Sequence, residues 1–184
     1  MDTKIVFKGK TETGIEILVR YPESTDAQIM TDYINTLSDE RTFITYQGEH
    51  ETLESETAFL NSILERIKNN KSVMLLVFAG DKLIGNCAIE LGKRTERHVG
   101  TLGISIAKDY RGKGIGKILL EQTEKEAIEN LEGLEIIFLT AFASNEKAIK
   151  MYEKAGYKVF GKFPKGIKLE NGYDDHVLKY KNVK

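Results

Sequence analysis

The sequence predicts an α/β fold of mixed α+β type: a central mixed, mostly antiparallel sheet of about seven strands flanked by four helices. Three observations carry that prediction. Short apolar runs alternate with polar residues and end at turn signals. Longer runs repeat their apolar residues every three to four positions. A three-strand meander occupies the middle of an otherwise alternating order of strands and helices. The 184 residues show no shift of composition and no linker, so 1–184 reads as a single domain.

The elements follow in order. Ile15, Ile17 and Val19 alternate with polar neighbours in GIEILVRYP, a strand that Pro22 closes. Ser24 or Thr25 caps a helix running to about Leu37, and Leu53, Thr57, Leu60, Leu64 and Ile67 mark one face of a second helix. SVMLLVFA, a turn at Gly80-Asp81 and KLIGNCAIE form an antiparallel hairpin, to which HVGTLGISIA adds a third strand after the polar loop GKRTER. Ile115, Leu119, Thr123, Ala127 and Leu131 recur every four residues in the third helix, which Gly133 stops. EIIFLTAF, β-branched and aromatic, is the next strand. Ser144 or Asn145 caps NEKAIKMYEKA, Gly156 ends that helix in a left-handed conformation, and YKVFGKF resumes extended structure. A last hairpin turns at Asn171-Gly172 and ends in HVLKY.

Charge and cysteine content narrow the function classes. The 27 basic and 28 acidic residues are well mixed and leave a net charge of -1, which gives no global attraction to nucleic acid or to an anionic membrane. MDTKIVFKGK has no apolar signal-peptide region, and the longest apolar run, Val73 to Ala79, is far short of a bilayer span. The expectation is a soluble, cytoplasmic protein with neither nucleic acid nor membrane as partner. Cys87 is the only cysteine, so no intrachain disulfide and no cysteine metal cluster is expected, and its setting in LIGNCAIE marks a buried, inert thiol.

Residues 109 to 122, DYRGKGIGKILLEQ, place Gly112, Gly114 and Gly116 among Arg111, Lys113 and Lys117 at a strand-to-helix boundary. A dinucleotide fingerprint counted from Gly112 and Gly114 requires glycine where Lys117 stands. A nucleotide P-loop ending in Gly116-Lys117 requires glycine at Arg111 and Ser or Thr at Ile118. Both fail, which disfavours a mononucleotide-binding protein. The stretch still sits where the free N–H groups of a helix start meet the positive end of its dipole. Glycine lets an anion approach the backbone closely, and the basic side chains add charge, as a pyrophosphate requires.

R-G-K-G-I-G, Arg111 to Gly116, resembles the Q/R-x-x-G-x-G/A signature of the GCN5-related N-acetyltransferase (GNAT) superfamily. ASNEKAIKMYEKAGYK resembles that superfamily's second motif, with Asn145, Ala148, Tyr152 and Gly156 at its spacing. The element order from Ile15 to Tyr180 matches the same fold, whose sheet is splayed where the cofactor binds. The resemblance implies an acetyl-CoA-dependent N-acetyltransferase with no metal. The pyrophosphate would be cradled by Arg111, Gly112, Lys113, Gly114, Ile115, Gly116 and Lys117, and the pantetheine arm would pair with main-chain groups of Ile104, Ser105 and Ile106. A main-chain N–H of that strand would also stabilise the oxyanion. Asn145 resembles the asparagine that bonds the pantetheine, and Tyr152 the general acid that protonates the departing thiolate; ordinary aromatic packing is the other reading of Tyr152.

The implied nucleophile is a primary amine of a small molecule, an amino acid or a protein N-terminus, attacking directly in a ternary complex. A lysine-like amine of pKa about 10.4 is neutral in about one molecule per few thousand at pH 7, a cost of about 4 to 5 kcal/mol that a base would offset. Glu90 and His98 are the candidate bases, though both also read as solvated strand ends. Gly100 stands where the superfamily often has a glutamate. The alternative in another class is a non-catalytic acyl-CoA binding module. Members of the superfamily are frequently dimers, and the sequence neither requires nor excludes a homodimer.

Overall fold

The structure, a computed structural model, describes residues 4–184. Among them are eight strands: β1 Ile5–Lys10, β2 Glu16–Arg20, β3 Ser72–Ala79, β4 Lys82–Leu91, β5 Val99–Ile106, β6 Ile136–Phe142, β7 Lys158–Leu169 and β8 Gly172–Asn182. The four α-helices are α1 Ala27–Asp39, α2 Leu53–Lys68, α3 Ile115–Asn130 and α4 Glu146–Lys154. The strands form one open mixed sheet in the order β1-β2-β3-β4-β5-β6-β8-β7. Its β5–β6 pair is parallel, whereas β1–β2, β2–β3, β3–β4, β6–β8 and β7–β8 are antiparallel. The strand beyond the expected seven is β1. It pairs only with β2, at the sheet's edge, and has no buried residue, so it lacks the alternation that announces a half-buried strand.

The chain forms two compact units, Met1–Glu90 with Gly103–Glu132, and Leu91–Leu102 with Gly133–Lys184. In the first, β3 is buried on both faces over its first seven residues, which is why Val73 to Phe78 reads as a continuous apolar run rather than an alternating one. Met74, Leu76 and Phe78 join Met30, Tyr33 and Leu37 of α1 and Leu60 and Ile63 of α2 in one apolar cluster. Each fully buried aliphatic side chain there contributes about 1.5 to 3 kcal/mol. Ser24 and Thr25 do not cap α1; they lie in a 3-10 turn, Ser24–Asp26, where Glu23 and Asp26 form the reciprocal cap. α2 starts from a Thr52–Ser55 capping box, and its buried stripe is Glu56, Leu60 and Ile63. The expected face holds from Leu60 on, since Leu64 and Ile67 pack against the same cluster, whereas Leu53 at the helix start is 47% exposed. α3 buries Ile115, Leu119, Thr123 and Ala127, as its four-residue repeat predicts.

In the second unit, the parallel β5–β6 ladder covers three pairs, from Val99 with Ile136 to Thr101 with Phe138. β7 is one continuous strand, so YKVFGKF and the final hairpin are not separate elements. The hairpin loop is Glu170-Asn171, one residue earlier than expected, because Leu169 pairs with Gly172. No helix among the described residues is long and apolar enough to cross a membrane.

Candidate cofactor and acceptor site

The C-terminal half of β5 and the turn into α3 lie in the first unit. Ala107 donates its N–H to the Ile84 carbonyl at 2.9 Å, so odd-numbered residues of this stretch turn their main-chain groups toward β4. Ser105 packs against that strand so closely that a side chain at Gly85 would meet its carbonyl at 2.8 Å. Alternation therefore turns Ile104 and Ile106 toward the other edge. The Ile106 carbonyl accepts a bond from Arg111 Nε at 2.7 Å, which leaves Ile104 as the residue whose main-chain groups match the expected pairing edge. On the face carrying α1, Ser105 Oγ donates to Asn86 Oδ1 at 2.9 Å, so the Tyr33 hydroxyl, also at 2.9 Å, is the donor to Ser105. Burial raises the Tyr33 pKa well above the usual phenol value and keeps that hydroxyl protonated.

The chain leaves β5 through a 3-10 turn, Lys108–Tyr110, and then enters the glycine stretch. Gly112 and Gly114 take φ of 73° and 82°, in the left-handed region that favours glycine. Gly114 is the N-cap of α3; no side chain caps the helix there and no acidic residue occupies its first turn. The first-turn N–H groups, Ile115 to Lys117, thus converge at the positive end of a 16-residue helix.

The three basic side chains differ in position. Arg111 bonds Ile106 as above and pairs with Glu40 at the end of α1. Glu40 also accepts the Lys108 N–H at 3.0 Å, so Arg111 and Glu40 together brace both ends of the turn. Lys113 lies over the Tyr110 ring, 5.5 Å from its centroid, and Lys117 is an exposed residue 4.0 Å from Glu121. Nothing in local sequence announces Tyr33, Glu40 or Asn86 as parts of this site. Their partners lie 72, 71 and 19 residues away.

Asn145 and Tyr152 belong to the second unit, on α4. Asn145 caps the helix, its Oδ1 accepting the Ala148 N–H at 3.2 Å. Tyr152 is the one buried residue of α4, and its ring meets Tyr157 edge-on at 5.8 Å. Gly156 ends the helix at φ of 91°, as expected. Of the two candidate bases, Glu90 lies at the end of β4 with Oε2 3.0 Å from Arg66 Nε, an ion-pair distance. His98 precedes β5 and accepts the Glu135 and Ile136 N–H groups on its carbonyl. Asp174 and Asp175 of the last hairpin are engaged with Ser144 and with Lys162. Cys87 is fully buried, and burial pushes its thiol up to about 12.

The sequence profile of the acetyltransferase (GNAT) family matches residues 32–157, a stretch that holds β5, the glycine turn, Asn145 and Tyr152. The chain belongs to that family. L-amino acid N-acetyltransferase AaaT of Escherichia coli (strain K12) is 30% identical over 110 residues, 59% of this chain and 67% of that protein. A GNAT acetyltransferase from Streptococcus pneumoniae superposes with a TM-score of 0.83 at 30% identity, over 91% of this chain and 100% of that one. yncA of Salmonella typhimurium, solved with its cofactor acetyl-CoA, superposes with a TM-score of 0.78 over 91% of this chain and 94% of its own, and at 15% identity it shares the fold. Among the described residues, no group of three or more His, Cys, Asp or Glu is arranged to hold a metal ion.

Proposed function

We propose that this GNAT acetyltransferase, acting as one domain, transfers the acetyl group of acetyl-CoA to a primary amine by direct attack in a ternary complex. The observation that carries the reading is the uncapped start of α3 behind Gly112 and Gly114, both left-handed. Convergent N–H groups with no internal acceptor fit a phosphate, which supplies acceptor oxygens and the negative charge the dipole favours. Arg111 to Lys117 would hold the pyrophosphate, with Lys113 and Lys117 contributing charge. Arg111 would act chiefly by shaping the turn through Ile106 and Glu40. The pantetheine amides would pair with Ile104, in the manner of a strand added to a sheet edge, and the acyl group delivered there supplies the electrophile.

Tyr152 is assigned as the acid that protonates the leaving thiolate, and Asn145, whose Oδ1 is spent on its cap, would offer its side-chain N–H to the pantetheine. An amino-acid amine is the first acceptor to examine, because AaaT bears that specificity in its name. The test is release of free thiol from acetyl-CoA over a panel of amino acids, polyamines and peptide N-termini, with wild type beside Tyr152→Phe. The expected result is a fall in kcat of about 100-fold or more for the variant, with its coenzyme A affinity retained. Equal turnover removes Tyr152 as the acid. Binding of coenzyme A with no turnover on any amine makes the protein a binding module instead.

A further inference from the structure

Glu56 lies in the first turn of α2, on the same buried stripe as Leu60 and Ile63, and is 8% exposed. No hydrogen bond or ion pair reaches its carboxylate among the described residues. Other buried acids of this unit differ: Asp26 is paired with Arg20, and Glu126 with Lys4 and Tyr21. The charge that acts on Glu56 is a like one, Glu51, whose own carboxylate accepts bonds from Tyr46 and Ser55. Burial first, and Glu51 second, push the Glu56 carboxyl above the usual carboxylate range. A buried carboxylate without a partner opposes folding, and among the described residues nothing offsets it.

Two ties locate this group. At the C-terminal end of α2, Arg66 stands beside Glu90 of β4. At the N-terminal end, Asn35 of α1 bonds the Glu51 main chain twice, at 3.0 and 2.8 Å, two residues from the Tyr33 that reaches Ser105. Glu56 precedes Arg66 by ten residues, about 15 Å of helix. Asn86, bonded to Ser105, precedes Glu90 by four residues, about 13 Å of strand. Glu56 and the Asn86–Ser105 pair are thus displaced by nearly the same length from one fixed tie, on the face of the sheet that carries both helices. Ser105 adjoins Ile104, where the proposed function puts the pantetheine.

We propose that Glu56, with Glu51 beside it, receives the ammonium of the acceptor and removes its proton, acting as the base of the acetyl transfer. The inference rests on the proposed function and adds the acceptor side to it. The ligand class is a primary ammonium, which supplies the positive partner that the Glu56 carboxylate lacks. One ammonium proton passes to Glu56, and the freed nitrogen lone pair forms the C–N bond at the thioester carbon. The C–S bond then breaks with its electron pair on sulfur, which is protonated as coenzyme A leaves. The second nitrogen proton balances that protonation, and Glu56 returns its own proton to water. The groups facing Glu56 that bear on its titration are Glu51 and Tyr46 of the α1–α2 loop. From α1, the neutral Asn35 bonds the main chain of that same Glu51.

The experiment compares wild type, Glu56→Gln and Glu56→Asp in three measurements: kcat/KM against pH with the best amine, coenzyme A affinity by calorimetry, and thermal midpoint at pH 7. Glu56→Gln is expected to lower kcat/KM by about 100-fold or more and to abolish the acid limb of the profile, while coenzyme A affinity stays unchanged. Its thermal midpoint is expected to rise. A carboxyl whose folded pKa is raised stabilises the fold below its unfolded value and loses that contribution as pH climbs through the folded pKa, so at pH 7 the neutral amide is preferred. Glu56→Asp is expected to restore part of the rate. Wild-type kcat/KM with an unaltered acid limb in Glu56→Gln overturns the proposal, as does a fall in thermal midpoint with no change in pH profile, the mark of a purely structural residue. Wild-type protein that binds coenzyme A but acetylates no amine refutes the proposed function itself, and this inference with it.

Discussion

Gly114 offers a way to separate what the backbone needs from what the cofactor needs. It occupies φ 82° and ψ -11° at the N-cap of α3, and a Cβ placed there meets nothing within 4 Å. Packing therefore adds no cost to Gly114→Ala; the fold loses only the left-handed penalty, about 1 to 2 kcal/mol. In a chain of this size that corresponds to a fall in thermal midpoint of about 2 to 8 °C. Gly114→Asn costs the fold less, because asparagine visits the left-handed region more readily. The cofactor distinguishes the variants differently. Any side chain at 114 stands in the approach to the Ile115–Lys117 amides, and loss of one charge-assisted bond to phosphate is worth about 1.5 to 3 kcal/mol, or about 10- to 100-fold in Kd. Scanning calorimetry and titration calorimetry with coenzyme A on the three proteins give both quantities. The expected pattern is a smaller stability loss for asparagine than for alanine, with at least as large a loss of affinity. Wild-type affinity in Gly114→Asn would refute the phosphate assignment of the turn.

Two further expectations concern charges that the fold has buried. Lys179 is fully buried, with Nζ 3.1 Å from Glu153, so Lys179→Met, which keeps its volume, is expected to leave the thermal midpoint unchanged or higher, whereas Lys179→Ala lowers stability by about 2 to 5 kcal/mol through the cavity it opens. A greater loss for Met than for Ala in urea unfolding would contradict this. Asp26 accepts both Arg20 guanidinium N–H groups at 2.7 Å and the Glu23 N–H. Burial raises its pKa, but these bonds outweigh burial and hold the carboxyl below its usual range. Its contribution is present above the unfolded value of about 3.9 and fades as pH falls through the lower folded value, so a stability deficit of about 3 to 5 kcal/mol in Asp26→Asn at pH 7 should narrow toward pH 3. A deficit that stays constant between those pH values, measured by urea unfolding, would argue against the pair.

The parts of the fold legible in the sequence are those decided locally. β3 is announced by seven consecutive apolar residues because it is covered on both faces, and the glycine turn by residues that only a left-handed backbone requires. Arg111 shows where local reading ends. Its charge suggested an anion, yet its guanidinium turns back to Ile106 and to Glu40, a partner 71 residues away that no motif encodes. The same limit explains α2. An apolar face drawn through Leu53, Thr57, Leu60, Leu64 and Ile67 avoids every charge, as a helix that only has to pack would do. Leu60, Leu64 and Ile67 of that face do pack against the core, but in the first turn Glu56 is buried and Leu53 is exposed. A sequence chosen for packing alone would have placed an apolar residue at 56, and local consistency tends to break where a site demands something else. The one departure from that periodicity, in the first turn, therefore falls on the residue that lacks an ion-pair partner among the described residues. A buried acid at the start of α2, with no ion-pair partner among the described residues, departs from packing logic in pattern and in electrostatics alike.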